Sequence, residues 1–178
     1  MVTLNKPSAG DTDWTTEIND NWISLESSVN GVLRLIKTAD ESVTTSTTLQ
    51  DDDALKFLMG ANETWVFDVV GFWGAGSTGP DIKVGLNGPG TPTLLRAQIQ
   101  HYNGPGQTPA GAGGILTSYG TSEAVDISSG PPDTLFTLKG TVINGSTPGN
   151  LVVQWAQRVS SATATTVKAG SFLVAHRI

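Results

Sequence analysis

Hydrophobic residues follow two different periods along this chain. Between residues 13 and 37 the apolar side chains are spaced alternately four and three residues apart, at Ile18, Trp22, Leu25, Val29, Val32 and Ile36. This is the heptad pattern of a coiled-coil helix. From residue 38 onward, short runs of alternating apolar and polar residues are separated by Gly, Pro, Asn and Ser, which is typical of β-strands joined by turns. The pattern predicts one amphipathic helix followed by an all-β domain.

The predicted helix needs a partner for its apolar stripe. Asp13 is placed to cap the helix, and Glu17 lies in its first turn, where the helix dipole favours an acidic residue. A strict heptad stripe is narrower than the face that a helix presents to a globular core, so it favours association with copies of itself. The wide side chain of Trp22 favours a three-stranded seam. We therefore predict that the six stripe residues trimerise the chain; the alternative is that the stripe packs on the chain's own β domain.

The β region contains one segment that is apolar on both faces. In ETWVFDVVGFW, residues 63–73, Trp65, Phe67, Val69 and Trp73 alternate with Val66, Val70 and Phe72. Such a strand is expected to be central and covered on both sides. Segments 81–86 and 93–102 alternate more simply, and 103–114 has the Gly and Pro content of a loop. Counting the remaining runs predicts an antiparallel jelly-roll sandwich of eight to ten strands.

Charge and composition exclude several classes of partner. The net charge is −6, and the ten Lys and Arg residues are dispersed, so we expect no nucleic-acid partner. The chain has no cysteine, which removes disulfides and thiolate chemistry. No apolar run approaches the roughly 20 residues that span a bilayer, so membrane insertion is not expected. The first 15 residues lack the pattern of a signal peptide.

No motif in the sequence predicts catalysis. The two histidines, His101 and His176, both fall in predicted strands, and neither a nucleophile elbow nor a phosphate-binding loop is present. The one acidic cluster, at residues 51–53, lacks the spacing of a calcium loop and is interpreted as a solvated strand entry. We expect a protein that is not an enzyme and that needs no metal or cofactor.

Surface recognition is the remaining kind of function. His101 and Tyr102 stand at the base of the glycine- and proline-rich segment and are candidates for stacking on a sugar or a peptide group. The alternative is a variable loop without a ligand. A carbohydrate-binding or glycan-cleaving jelly roll is the second hypothesis, for which Asp68 and Asp81 are the carboxylates close to the predicted core strands.

Three stretches of the sequence resemble structural proteins of tailed bacteriophages. The opening VTLNKPSAGDTDWTTEINDNWISLESSV resembles the N-termini of phage fibre and appendage proteins, where a polar arm precedes a helix containing W-x-x-x-I-N-x-N-W. The runs TADESVTTSTTLQDDDALKFLMGANETWVFDVV and QWAQRVSSATATTVKAGSFLVAHRI resemble a β domain common in such particles. The W-A-Q and G-S-F-L elements of the last run are also similar to the closing strands of TNF-like and C1q-like jelly rolls.

The resemblance implies a particular organisation and role. Residues 1–12 would be a flexible docking arm, residues 13–37 a trimerising helix and residues 38–178 a β head that faces outward. The chain would be a homotrimeric, non-enzymatic virion protein, made in the host cytoplasm and bound through its arm to capsid or tail proteins. Capsid decoration or a head fibre is the first placement. A short tail fibre that recognises a host-surface glycan is the alternative.

Overall fold

The computed structural model describes residues 32–77, 79–103, 108–125 and 134–178, and these residues form an all-β domain. All strand pairs in the described part of the chain are antiparallel. The twelve strands found there exceed the predicted eight to ten, whereas the prediction of an antiparallel β domain is confirmed. The strands are β1 (Val32–Ile36), β2 (Glu41–Val43), β3 (Gln50–Met59), β4 (Thr64–Ala75), β5 (Ile82–Asn87), β6 (Leu94–Asn103), β7 (Thr108–Leu116), β8 (Ser122–Val125), β9 (Thr134–Ile143), β10 (Gly149–Gln157), β11 (Thr165–Val167) and β12 (Phe172–Arg177).

The strands form two sheets that share one hydrophobic core. The first sheet has the order β1-β12-β4-β9-β6-β7, with β11 pairing both β2 and β4, and the second has the order β3-β10-β5-β8. The arrangement β1-β12-β4-β9 with β3-β10-β5-β8 is the strand order of a jelly roll, to which the β6–β7 hairpin adds two strands at one edge. The strands β1 and β3 lie at the same side of the domain, where the two sheets approach each other.

The central position predicted for the segment around residues 64–75 is confirmed. Strand β4 lies between β12 and β9, and its residues Trp65, Phe67, Val69 and Trp73 are buried in the shared core. Gly71 belongs to the same inward row, and a Cβ atom there would lie 2.1 Å from the ring of Phe136. The close approach explains why a glycine occupies the middle of a core strand. The outward residues of β4 are only half-buried, so its second face is not covered as predicted.

The predicted helix is wrong where the structure describes it. Residues 32–36, the last part of that helix, form strand β1, which pairs with β12 from Val32↔His176 to Ile36↔Phe172. The stripe positions Val32 and Ile36 are four residues apart, and an even spacing also places two residues on one face of a strand. Leu33 and Leu35 pack against the core of the domain. A helix exposed to solvent could not make this contact. The remaining stripe residues, Ile18, Trp22, Leu25 and Val29, lie outside the described residues.

The segment 103–114 is also different from its prediction as a loop. Residues 108–116 form strand β7, which pairs with β6 through a register that shifts twice. An edge strand has a single neighbour in its sheet, so it tolerates β-bulges and the glycines that accompany them. At Gly113 the backbone approaches Ile99 so closely that a Cβ atom would lie 2.5 Å from its carbonyl oxygen. The glycine content indicates close strand packing here rather than a loop.

Candidate interaction surface

An apolar surface covers the outward face of the first sheet at β1, β12 and β4. Side chains of a strand alternate between the two faces of its sheet, so the partners of buried residues point outward. On these three strands most of the outward positions are apolar and half-buried, and Ile36 is 63% exposed. We call this surface the face patch; it comprises Ile36, Val66, Val70, Phe72, Phe172 and Val174.

Strand register makes the face patch continuous. Ile36 is paired with Phe172, and Phe172 is paired with Val70, so one apolar row crosses all three strands. In the next row Val174 lies between Arg34 and Asp68. Directly paired side chains on one face of a sheet are close enough to pack against each other. The patch is therefore one surface and not a set of scattered apolar residues.

The other half of the same face is mixed, with polar and charged residues beside the exposed Leu94 and Ile115. Asp68 of β4 binds Lys139 of β9 with 2.9 Å between Oδ2 and Nζ, and this contact marks the border between the halves. The hydrogen bond and the charge of Asp68 raise the pKa of Lys139. Beyond this border β6 presents Arg96 and Gln98, which are exposed. The half with the face patch is distinguished by its contiguous aliphatic and aromatic side chains, and aromatic residues are enriched in protein contacts.

A buried ion pair fixes the end of β1 next to the face patch. Lys37 follows Ile36 directly, and its side chain is 3% exposed. Its Nζ lies 3.0 Å from Oδ2 of Asp52, whose side chain is 0% exposed. The indole nitrogen of Trp155 donates to the same oxygen over 3.2 Å. The first sheet is therefore tied through Lys37 to β3 and β10 of the second sheet.

Glu41 completes the surroundings of Lys37. Its Oε2 accepts a hydrogen bond from Lys37, and its Oε1 accepts one from Gln50 at 3.0 Å. Burial alone would lower the pKa of Lys37, but the hydrogen bonds and charges of Glu41 and Asp52 outweigh it and raise the pKa. Lys37 therefore remains charged at neutral pH and holds the last residues of β1 in place.

The acidic cluster at residues 51–53 is not the solvated strand entry that we expected. Alternation along β3 leaves Asp51 and Asp53 exposed but directs Asp52 into the core. Two backbone amides, those of Ala54 and Leu55, donate to its Oδ1 at 2.9 Å each. A carboxylate is stable at such a position because its charge is paired and its oxygens accept hydrogen bonds.

A second apolar surface lies where β1 and β3 approach each other. The edge groove, as we name it, is lined by Leu33 and Leu35 of β1 and by Leu58 of β3, with the rings of Phe57 and Trp65 beneath. These two rings have centroids 4.9 Å apart. Leu58 is 67% exposed. Among the described strands, β1 and β3 are the end strands of their sheets, so the groove is bordered by two strand edges that no other described strand pairs with.

Charged residues close one end of the edge groove. Glu63 accepts hydrogen bonds from the backbone amide of Gly60 at 2.7 Å, from Arg177 at 2.8 Å and from the indole of Trp65 at 3.0 Å. Burial would raise the pKa of Glu63, but these three hydrogen bonds outweigh it and lower the pKa. The groove therefore ends at a carboxylate that stays charged at neutral pH.

His101 and Tyr102 lie on opposite faces of β6. His101 is paired with the buried Phe136 and belongs to the inward row, and its Nδ1 is buried without a hydrogen-bond partner among the described residues. Burial lowers the pKa of His101, so the ring is neutral at pH 7. Tyr102 belongs to the outward row, and its carbonyl accepts a hydrogen bond from Thr134. The structure does not bring the two side chains together into one stacking surface.

Asp68 and Asp81 are also far apart. Asp81 follows β4, and its carbonyl oxygen accepts a hydrogen bond from Thr165, which is paired with Ala75 at the end of that strand. The extended chain from residue 68 to residue 75 spans about 23 Å. Two carboxylates that cleave a glycosidic bond stand roughly 5 to 9.5 Å apart. Each aspartate instead contacts a cation, Lys139 for Asp68 and Arg158 for Asp81.

The described residues contain neither a metal-binding cluster nor a membrane-spanning helix. No group of three or more His, Cys, Asp or Glu side chains in this part of the chain is arranged to hold a metal ion. Across the same residues, no helix is both long and apolar enough to cross a membrane.

Sequence reasoning identified one of these features in part and missed two others. The face patch had a signal, because Val66, Val70 and Phe72 make β4 apolar on its second face. The buried pair of Lys37 and Asp52 had no signal in the sequence, since nothing distinguishes the buried aspartate from its two neighbours in the run of three. The edge groove depends on two strands that are distant in sequence, so only the fold reveals it.

Comparisons with known proteins give weak structural likenesses. No family model matches the chain, and no curated protein matches it either. Among solved structures, the tripod from the baseplate of bacteriophage Tuc2009 has 12% identity and a TM-score of 0.33, with 100% of each chain covered. A CBM4 structure has 10% identity and a TM-score of 0.29, covering 84% of this chain and 97% of that chain. An infectious bursal disease virus structure, Gx strain, has 12% identity, a TM-score of 0.19, and coverage of 82% and 35%. TM-scores of this size do not establish a shared fold.

Proposed function

We propose that this chain is a non-enzymatic structural protein of a tailed-phage virion. It assembles as a homotrimer, is attached to the capsid or tail through residues 1–12, and carries its β domain outward. Capsid decoration or a head fibre is the placement that we favour. The proposal rests on the resemblance of the sequence to phage appendage proteins and on the way in which the resembling stretches are arranged in the fold.

That arrangement is the observation that carries the proposal. The two stretches that resemble a phage β domain, residues 38–70 and 154–178, are far apart in sequence but adjacent in space. Strand β12 is paired with β4, and β11 is paired with both β2 and β4. Trp155 of the second stretch donates a hydrogen bond to Asp52 of the first. The two stretches that resemble phage proteins therefore belong to one structural unit. This is expected when the resemblance extends over a whole domain and is not limited to isolated motifs.

The placement can be tested on purified particles. Antibody fragments raised against the folded β domain should label intact virions at regular positions in electron micrographs, and a map of the particle should show three copies at each position. Antibody against an unrelated host protein is the control. Particles that contain no copy of the chain would contradict the proposal, while labelling at the tail tip would replace decoration by the tail-fibre placement.

A second candidate function is recognition of a host-surface glycan. The observation in its favour is the outward row of β6, in which Arg96, Gln98, Gln100 and Tyr102 present planar hydrogen-bonding groups and a phenol on an open sheet face. A glycan array combined with a turnover assay tests it. Specific binding that is lost in Gln98→Ala, without cleavage, would support a receptor-binding head; absence of binding would favour decoration.

A further inference from the structure

The face patch has a size at which apolar surface patches are often functional. Its centre spans three strands, which lie about 4.8 Å apart, and runs for about 20 Å along β4 from residue 66 to residue 72, giving roughly 300 Å² of flat area. Monomeric proteins seldom expose a larger contiguous apolar patch than a few hundred Å². A stable interface takes about 800 Å² from each partner, so the patch is large enough to be the apolar centre of such an interface but not the whole of it. The dimensions therefore fit an apolar interface centre with a polar rim.

The edge groove supplies a second apolar surface on the same chain. A closed ring of three copies uses a heterologous contact, in which each copy offers two different surfaces. The face patch and the edge groove lie on two sides of β1: Val32, Arg34 and Ile36 point outward, while Leu33 and Leu35 line the groove. A copy can therefore contact one neighbour through its face patch and the other through its edge groove.

The chemistry of the two surfaces also matches. The face patch is mostly aliphatic and aromatic, and the groove has leucines at its rim above two aromatic rings. The charges of the groove end, Glu63 and Arg177, are paired with each other within the chain. Two further cations, Lys56 in the groove lining and Arg34 beside the face patch, are exposed, and their long side chains allow the charged ends to stay in water while the apolar residues are buried.

We propose that the face patch of one copy packs into the edge groove of the next, and that this contact closes the homotrimer. The inference rests on the proposed homotrimer and specifies which surfaces form it. The ion pair between Lys37 and Asp52 holds the end of β1, and with it Ile36, in the position that the contact requires.

The test uses three glutamate substitutions at exposed apolar positions in the full chain. Ile36→Glu alters the face patch, and Leu58→Glu alters the edge groove. Ile115→Glu is the matched control, because Ile115 is 61% exposed, lies on an edge strand of the same sheet and belongs to the other half of its outward face. Circular dichroism and thermal melting verify that each variant is folded. Ile36→Lys separates the loss of apolar contact from the addition of negative charge.

Sedimentation equilibrium over a range of concentrations then measures association. We expect the unaltered chain and Ile115→Glu to have about three times the 18.6 kDa mass of one chain. Ile36→Glu, Ile36→Lys and Leu58→Glu should weaken association at least about tenfold. Mixing Ile36→Glu with Leu58→Glu leaves one sound contact, so a dimer should form at concentrations where each variant alone is monomeric.

Each outcome separates the inference from the proposal beneath it. A trimer that persists unchanged in both Ile36→Glu and Leu58→Glu would overturn the inferred contact and leave the homotrimer standing. Loss of association in Ile36→Glu alone, without rescue on mixing, would overturn the pairing with the edge groove. If Ile115→Glu weakened association as much as Ile36→Glu does, the assignment of the contact to the face patch would be overturned. A monomeric unaltered chain would overturn the homotrimer, and this contact with it.

Discussion

Replacing Asp52 by asparagine tests how strongly the two sheets depend on the buried ion pair. Asparagine has nearly the same shape as aspartate but exchanges one oxygen for an NH₂ group. Its remaining oxygen can still accept the amides of Ala54 and Leu55. The NH₂ group would then face two other donors, the ammonium of Lys37 and the indole of Trp155.

The magnitude follows from the partners that remain. Removing one member of a buried ion pair costs about 3 to 5 kcal/mol, because the other charge stays buried without compensation. Glu41 continues to bind Lys37 in the variant, so we expect the free energy of unfolding to fall by about 3 kcal/mol, at the lower end of that range. Most single substitutions cost less than this.

Urea unfolding followed by tryptophan fluorescence measures the change at pH 7 and at one fixed protein concentration. Asp53→Asn is the matched control, since it makes the same change one residue along at an exposed position, where effects stay within about 0.5 kcal/mol. A loss below about 1 kcal/mol in Asp52→Asn, or one equal to that of the control, would refute the reasoning.

The pH dependence gives an independent check. The pKa of Lys37 is raised in the folded state above its ordinary value of 10.5. A raised lysine pKa contributes stability that is complete below the unfolded-state pKa and is lost as the pH rises through the folded-state pKa. The difference in stability between the unaltered chain and Asp52→Asn should therefore be constant at neutral pH and shrink above about pH 10.5.

Three further substitutions test other parts of the domain. Gly71→Ala should lower stability by about 1 to 3 kcal/mol, because its Cβ would lie 2.1 Å from the ring of Phe136, and an unchanged melting temperature would contradict this packing. Glu63→Gln should cost stability at pH 7. The difference in stability from the unaltered chain should diminish as the pH falls to 4.5 and below, since a carboxyl group with a lowered pKa contributes stability only above that range. A difference that does not depend on pH would exclude the ionised form of Glu63 as the cause. Tyr119→Phe should be neutral or stabilising, because the buried hydroxyl has no hydrogen-bond partner among the described residues. A loss of more than about 1 kcal/mol in the free energy of unfolding would indicate that the hydroxyl has a partner. The pKa of about 12 should also shift the spectroscopic titration of Tyr119 to higher pH.

The strands were predictable from sequence where one period dominates. Residues 82–87 alternate between apolar and polar, residues 64–75 are apolar on both faces, and their buried rows, from Ile82 to Leu86 and from Trp65 to Trp73, match the prediction. In such segments burial, strand propensity and flanking turns all indicate the same structure. The apolar second row of β4 was visible for the same reason, although we expected that row to be covered.

Other features could not be read from the sequence because local patterns were compatible with two structures. Val32 and Ile36 fit a heptad and also one face of a strand, and only the pairing with β12 decides between them. The glycines of residues 108–114 suggest a loop, yet one of them, Gly113, permits the close approach of β7 to β6. The burial of Asp52 depends on Lys37, which lies 15 residues away, and on Trp155, which lies 103 residues away.

The position of β12 has a consequence for the order of events on the ribosome. This strand lies between β1 and β4, although it follows all the other described strands in the chain. Until it emerges, β1 has no partner among the described strands of its sheet, and contacts between residues so distant in sequence form late. The face patch is then incomplete, because β12 is the strand that joins β1 to β4. Assembly through that surface, as proposed, would therefore be restricted to chains in which β12 has already been synthesised.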